Sequence, residues 1–154
     1  MSNKINKFLA VDSGSERLGV AISDATGTIA NPLLVFKHTK REQDAEKIVE
    51  LAGENEVSEI IIGQAFYSDG TPNPSGRKSA RLADAIKEIT EIPVILWDEY
   101  ESTKLARQAM KELRSGKKKQ RSHLDDLAAT VILQDYLDSN PGRSKNDQGD
   151  LGLP

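Results

Sequence analysis

Phe8-Leu-Ala-Val-Asp12-Ser-Gly14-Ser-Glu-Arg17-Leu-Gly19-Val-Ala-Ile-Ser23-Asp24 places two short apolar segments on either side of a Ser-Gly turn. The first reads as a strand over Phe8–Asp12 and the second as a strand over Leu18–Ser23, closed by Gly27. A third strand is expected at Ile29–Phe36, with Pro32 inside it. Proline cannot donate to a ladder, so this strand should lie at an edge or carry a bulge. Three short strands joined by glycine-containing turns predict an antiparallel meander. Asp12 ends the first of them, at the turn.

The period changes downstream. Ala45, Ile48, Val49 and Ala52 recur at helical spacing, which predicts a helix over Glu42–Ala52. The apolar run in Glu59–Gly63 reads as a strand buried on both faces. Gly70, Pro72, Pro74 and Gly76 mark Ser68–Gly76 as loop. Asn73-Pro74 can cap the next helix, although Gly76 is expected to delay its start. Ala80, Ala83, Ile86 and Ile89 mark that helix, and Pro93–Trp97 is read as another buried strand reaching Asp98-Glu99. A helix from Ser102 stops at Gly116. A last helix carries Leu124, Leu127, Ala128, Val131, Ile132 and Tyr136. The order βββαβαβαα predicts an α/β fold, a mixed five-stranded sheet flanked by helices. One domain is expected over residues 1–138, followed by a disordered tail over 139–154 with too little apolar content to order itself.

At 154 residues the chain is long enough for one buried core. It has no cysteine, hence no disulfide framework and no thiolate metal site. No apolar run approaches the ~20 residues of a bilayer span, and Met1–Lys7 lacks a signal-peptide pattern. The expected location is the cytoplasm, with no membrane partner. The net charge of −3 does not advertise a polyanionic partner. Arg114, Lys117, Lys118, Lys119 and Arg121 nevertheless fall in one short stretch. They form either a solvated loop or a phosphate-contacting patch.

Asp12, Asp98, Glu99 and Asp125 are the candidate chemistry. In open α/β sheets, ligands collect outside the carboxyl ends of strands, where Asp12 and the Asp98-Glu99 pair belong. A last helix starting nearby would add Asp125. Clustered carboxylates raise one another's pKa unless a cation compensates them. Mg²⁺ or Mn²⁺, as one or two ions, suits such oxygen ligands. Each residue also has a structural reading. Asp12 can be a turn former. Ser122 and Asp125 have capping-box spacing. Asp98 and Glu99 face opposite sides of a regular strand, so only one need be a ligand, and alternation alone does not choose. His38 is expected at the surface. His123, between the basic stretch and Asp125, can serve phosphate binding or proton relay. Trp97 is expected in the core.

These segments together resemble the YqgF (RuvX) family of RuvC-like resolvases and pre-ribosomal RNA nucleases. The opening hairpin through Asp24, Asn31-Pro-Leu33, Ile60-Ile-Ile-Gly63 with Ser68-Asp-Gly70, Asp98-Glu99 with Ser102-Thr103, and Asp125-Asp-Leu-Ala-Ala-Thr-Val-Ile-Leu-Gln-Asp-Tyr-Leu137 occur in the family's order. The resemblance spans about residue 8 to 138. It implies an RNase-H-like fold and a divalent-metal site at Asp12, Asp98 or Glu99, and Asp125. It also implies cleavage of structured RNA or branched DNA, and admits a homodimer. The chain departs from the family at Tyr100, where arginine is usual, at Glu101, where an apolar residue is usual, and at Gln64-Ala65, where Leu-Pro is usual. An arginine beside the metals would stabilise phosphate charge. Arg17 is the nearest remaining candidate for that contact, with Lys117, Lys118, Lys119 and Arg121 holding the nucleic-acid backbone.

Two competing readings remain at this level. A fragment of an actin-like ATPase would share the Asp-x-Gly hairpin, but those proteins enclose nucleotide between two such domains. A non-catalytic module that binds nucleic acid or protein would fit Tyr100 and the negative charge. The retained set of carboxylates argues against it.

Overall fold

The computed structural model describes residues 6–14, 16–98 and 121–139, the last stretch with side chains from residue 127. The elements are β1 (Phe8–Ser13), β2 (Arg17–Ser23), β3 (Ala30–Lys37), α1 (Arg41–Glu54), β4 (Glu59–Gln64), α2 (Pro74–Lys87), β5 (Val94–Asp98) and α3 (Arg121–Ser139). Among the described residues the strands form one sheet in the order β3-β2-β1-β4-β5. β1–β2 and β2–β3 pair antiparallel, as the meander requires. β1–β4 and β4–β5 pair parallel. The expected mixed α/β sheet is therefore present. The expected helix from Ser102 and the polar tail lie outside the described residues.

Strand alternation sorts the core into two layers. Leu9, Val11, Leu18, Val20, Ile60 and Ile62 face α1 and α2, packing on Ile48, Leu82 and Ile86. Phe8, Ala10, Ala21 and Ile61 face α3, packing on Ala129, Ile132, Leu133 and Tyr136. Ile60, Ile61 and Ile62 are all fully buried, because β4 has strands on both sides and helices on both faces. Pro32 sits in the edge strand β3, and the register shifts between Val20 and Ala21 so that Leu33 is the extra residue. Both ways of accommodating proline are used at once.

Three expectations are corrected. Gly76 does not delay α2: Asn73 caps the helix, accepting a 2.8 Å hydrogen bond from the Gly76 amide, with Pro74 in its first turn. Asn73→Ala should therefore cost about 1 kcal/mol, read as a lower urea midpoint with an unchanged slope. β5 is not a buried strand: it is the second edge of the sheet, and Leu96 is 37% exposed. The apolar run reported residue type, whereas sheet position decided burial. Finally, α3 begins at Arg121, so Ser122 lies inside the helix rather than at its cap.

The turn between β2 and β3 is held by Asp24. Its carboxylate accepts from the Thr28 amide at 2.8 Å, the Ile29 amide at 3.1 Å and the Thr26 hydroxyl at 2.8 Å. Partial burial pushes its pKa up, but these hydrogen bonds together outweigh burial and leave it below the ordinary carboxylate value. No described helix is long and apolar enough to cross a membrane.

Candidate functional site

β1, β4 and β5 run parallel and finish side by side, so their carboxyl ends form one rim. Asp12 is the penultimate residue of β1 and is half-buried. Its partner on β2 is Gly19. On β4 the register that pairs Val11 with Ile62 brings Gly63 alongside. Neither neighbour carries a side chain to crowd the Asp12 carboxylate along the sheet. Arg17 starts β2 two residues before Gly19, on the same face and diagonal to Asp12. Diagonal positions lie within reach of long side chains. Arg17 also lines a cleft with Glu16, Val35, Phe36 and Lys37.

The register also separates Asp12 from Asp98. Val11, Ile62 and Leu96 align across three strands, and so do Gln64 and Asp98. Ser13, Gln64 and Asp98 consequently share the α1/α2 face, whereas Asp12, Gly63 and Trp97 share the α3 face. Asp98 is exposed and stands two strand spacings, about 10 Å, from β1. The structure thus does not bring Asp98 onto the face of Asp12. Glu99 lies outside the described residues, as do Lys117, Lys118, Lys119 and Tyr100. Among the described residues no three acidic or histidine side chains gather into a group that could hold a metal ion.

α3 supplies the remaining direction. Tyr136 donates to Glu59 Oε1 at 2.8 Å and packs edge-on against Phe8 with ring centroids 6.1 Å apart. Gln134 accepts from the Ala30 amide at 2.9 Å and donates to the Thr28 carbonyl at 3.0 Å. Phe8, Glu59 and Ala30 all begin their strands. The carboxyl end of α3 is therefore fixed at the far end of the sheet, and the helix runs back antiparallel to β1. Eleven residues of helix from Tyr136 to Asp125 rise about 16 Å. Four residues of strand from Phe8 to Asp12 rise about 13 Å. The helix backbone at Asp125 is thereby carried to the level of the rim. The side chains of Asp125, Arg121 and His123 lie outside the described residues.

Trp97, expected in the core, is half-buried and packs against it. Its indole packs edge-on to Tyr136 at 5.1 Å and donates to Asp135 Oδ2 at 3.0 Å. Gln64, a departure from the family pattern, donates to the Gly76 carbonyl at 3.2 Å and ties the end of β4 to the start of α2. The loop after β4 is held by Asp69, which accepts from the Thr71 amide at 2.9 Å and its hydroxyl at 2.8 Å. Those bonds hold the Asp69 carboxyl below its ordinary value. His38 is not a free surface residue: it is half-buried and hydrogen-bonded to buried Asp44. No period or spacing announced that pair, because it forms between a loop and the first turn of a helix.

The RuvX profile, described as Holliday junction resolvase, matches residues 6–139. The chain belongs to the RuvX family. A relative from Thermoanaerobacter pseudethanolicus named "Putative pre-16S rRNA nuclease" is 38% identical over 138 residues, covering 89% of this chain and 99% of that protein. One of the same name from Chloroflexus aurantiacus is 37% identical over 140 residues, covering 89% and 92%. RuvC of Thermus thermophilus, solved in complex with a Holliday junction substrate, superimposes with a TM-score of 0.55 at 17% identity, over 89% of this chain and 96% of that one. That likeness establishes the RuvC-like RNase H fold, the architecture expected from the sequence of this RuvX-family chain.

Proposed function

We propose that this RuvX-family protein is an endonuclease that hydrolyses phosphodiester bonds in structured nucleic acid with the help of Mg²⁺ or Mn²⁺. The observation that carries the reading is Asp12 at the carboxyl end of the central strand, flanked by two glycines, with Arg17 diagonal to it and α3 returning to the same rim. The ligands would be Asp12, Asp125 and Glu99. Glu99 is preferred to Asp98 because the register places Asp98 on the sheet face opposite Asp12. The donor set is carboxylate oxygen alone, which suits hard divalent ions. Bound there, such an ion supplies Lewis acidity and a water of lowered pKa. Arg17 would hold a phosphate oxygen of the scissile bond through its guanidinium.

The names of the relatives favour precursor 16S ribosomal RNA as the substrate, with branched DNA the alternative drawn from the RuvC neighbour. A cleavage panel of both, with Mg²⁺ or Mn²⁺, tests the reading. Cutting that needs metal and is lost in Asp12→Asn and Asp125→Asn supports it. No cutting of any substrate, together with no Mn²⁺ binding by calorimetry, points to a module that kept the fold without the chemistry.

Lys117, Lys118, Lys119 and Arg121 are proposed to hold the nucleic-acid backbone. Replacing Lys117–Lys119 by glutamine should weaken binding equally across sequences. It should also flatten the slope of log affinity against log salt by about 2 to 3. An unchanged slope would remove these lysines from the interface.

A further inference from the structure

On the sheet face opposite Asp12 the structure has a second cavity, of about 310 Å³, at the same rim. Its apolar floor is made by Leu18 and Leu82, which are 1% and 4% exposed. Its cationic rim is made by Lys40 and Arg41, the cap and first residue of α1, and by Lys78, in the second turn of α2. Lys78 is half-buried and donates to the Gly14 carbonyl at 3.2 Å, which leaves its other ammonium hydrogens for a ligand. Ser13 and Gly14, directly after Asp12, close the side nearest the rim.

His38 completes the wall. Its Nδ1 lies 2.5 Å from Asp44 Oδ2, and Asp44 is 3% exposed. A carboxylate only accepts, so Nδ1 carries the hydrogen and Nε2 remains as the ring's other polar atom. Asp44 also accepts from the Thr39 amide at 3.2 Å, so the ring sits on a fixed support. Glu42 is the other carboxylate at the cavity. Since Asp44 is engaged by His38 and Thr39, three cations face one uncommitted acid. An apolar floor under a cationic rim matches a flat ring that carries a phosphate. The volume lies at the small end of ordinary ligand pockets, which suits a mononucleotide rather than a dinucleotide.

We propose that this cavity binds a nucleotide, its phosphate on Lys78, Arg41 and Lys40, its base or sugar over Leu18 and Leu82, and His38 in the wall beside it. The nucleotide is either free or a unit of a bound strand that passes beyond the metal-binding rim. The strand form rests on the nuclease reading, whereas nucleotide binding itself does not.

An amide-resolved NMR titration of the full chain in metal-free buffer with chelator separates the two. The probes are AMP, inorganic phosphate alone and a single-stranded, terminally phosphorylated adenylate hexamer. AMP should shift the amides of Gly14, His38, Lys78 and Leu82 saturably, and do so at lower concentration than inorganic phosphate. Lys78→Met keeps the aliphatic stem and should weaken AMP by about tenfold, with Arg41→Gln weakening it less. Asp12→Asn should bind AMP as the wild type does, so loss of the nuclease reading would leave this result standing. A hexamer that binds more tightly than AMP at the same amides identifies a strand unit; AMP binding without hexamer binding identifies a free nucleotide. The proposal is overturned by absence of shifts at these amides, by phosphate matching AMP, or by Lys78→Met binding AMP like the wild type.

Discussion

Asp12→Asn should lower metal-dependent cleavage by about 10³-fold or more, equivalent to ~4 kcal/mol of barrier. Asn keeps the shape of the side chain and removes one anionic oxygen, so the loss measures charge rather than packing. The residue is half-buried at the end of a strand, and its neighbours on both sides are glycines. The fold should therefore tolerate the change, with a melting temperature in metal-free buffer close to that of the wild type. Added Mn²⁺ should raise the melting temperature of the wild type and not of the variant, because only a site that binds in the folded state gives linkage. Parallel variants at the end of β5 test the face argument. Glu99→Gln should fall with Asp12→Asn, whereas Asp98→Asn should stay within about threefold of the wild type. Inactive Asp98→Asn beside active Glu99→Gln would reverse the assignment. An active Asp12→Asn would remove the centre from this rim.

Much of this is legible in the sequence. The hairpin around Ser13-Gly14, the proline-bearing third strand and the triple isoleucine of β4 each follow from local rules. A turn needs glycine, a ladder needs amides, and a central strand needs apolar residues on both faces. What fails is the expected burial of the last strand, which depends on its position within the sheet. Pro93–Trp97 has the composition of a buried strand, yet β5 is an edge among the described strands, and nothing in its own residues says that no strand will cover it. The choice between Asp98 and Glu99 is of the same kind. Period two says that they differ in face, but only the register across β1, β4 and β5 says which face belongs to Asp12. His38 and Asp44 were invisible for another reason. Their pairing is a contact between a loop and a helix start that no spacing rule describes. The basic stretch from Arg114 through Lys119 remains known from sequence alone.

Gly76→Ala should be strongly destabilising. Gly76 stands in the first turn of α2, where alanine would ordinarily help by up to ~1 kcal/mol. Here a Cβ would lie 1.9 Å from the Ala65 carbonyl oxygen, and 3.0 and 3.2 Å from the Ala65 carbonyl carbon and nitrogen. Those atoms are backbone and cannot swing aside. The same carbonyl accepts from the Asn73 amide at 3.2 Å, and Asn73 in turn caps the helix through Gly76. The clash can be relieved only by moving the loop off the helix, which breaks the cap and the Gln64 bond to the Gly76 carbonyl together. A loss of about 3 kcal/mol is expected, with a fall in melting temperature of about 9 °C. Gly53→Ala is the internal control. It lies within α1, and a Cβ there meets nothing within 4 Å. That variant should gain about 0.5 kcal/mol by restricting the unfolded chain. The two substitutions add the same methyl group to two helices with opposite expected signs, so equal effects would show that helix propensity, and not the approach of Ala65, governs both sites. Because Gln64 ends β4 beside the Asp12 rim, Gly76→Ala should also lower cleavage at temperatures where the protein is still folded, and Gly53→Ala should not.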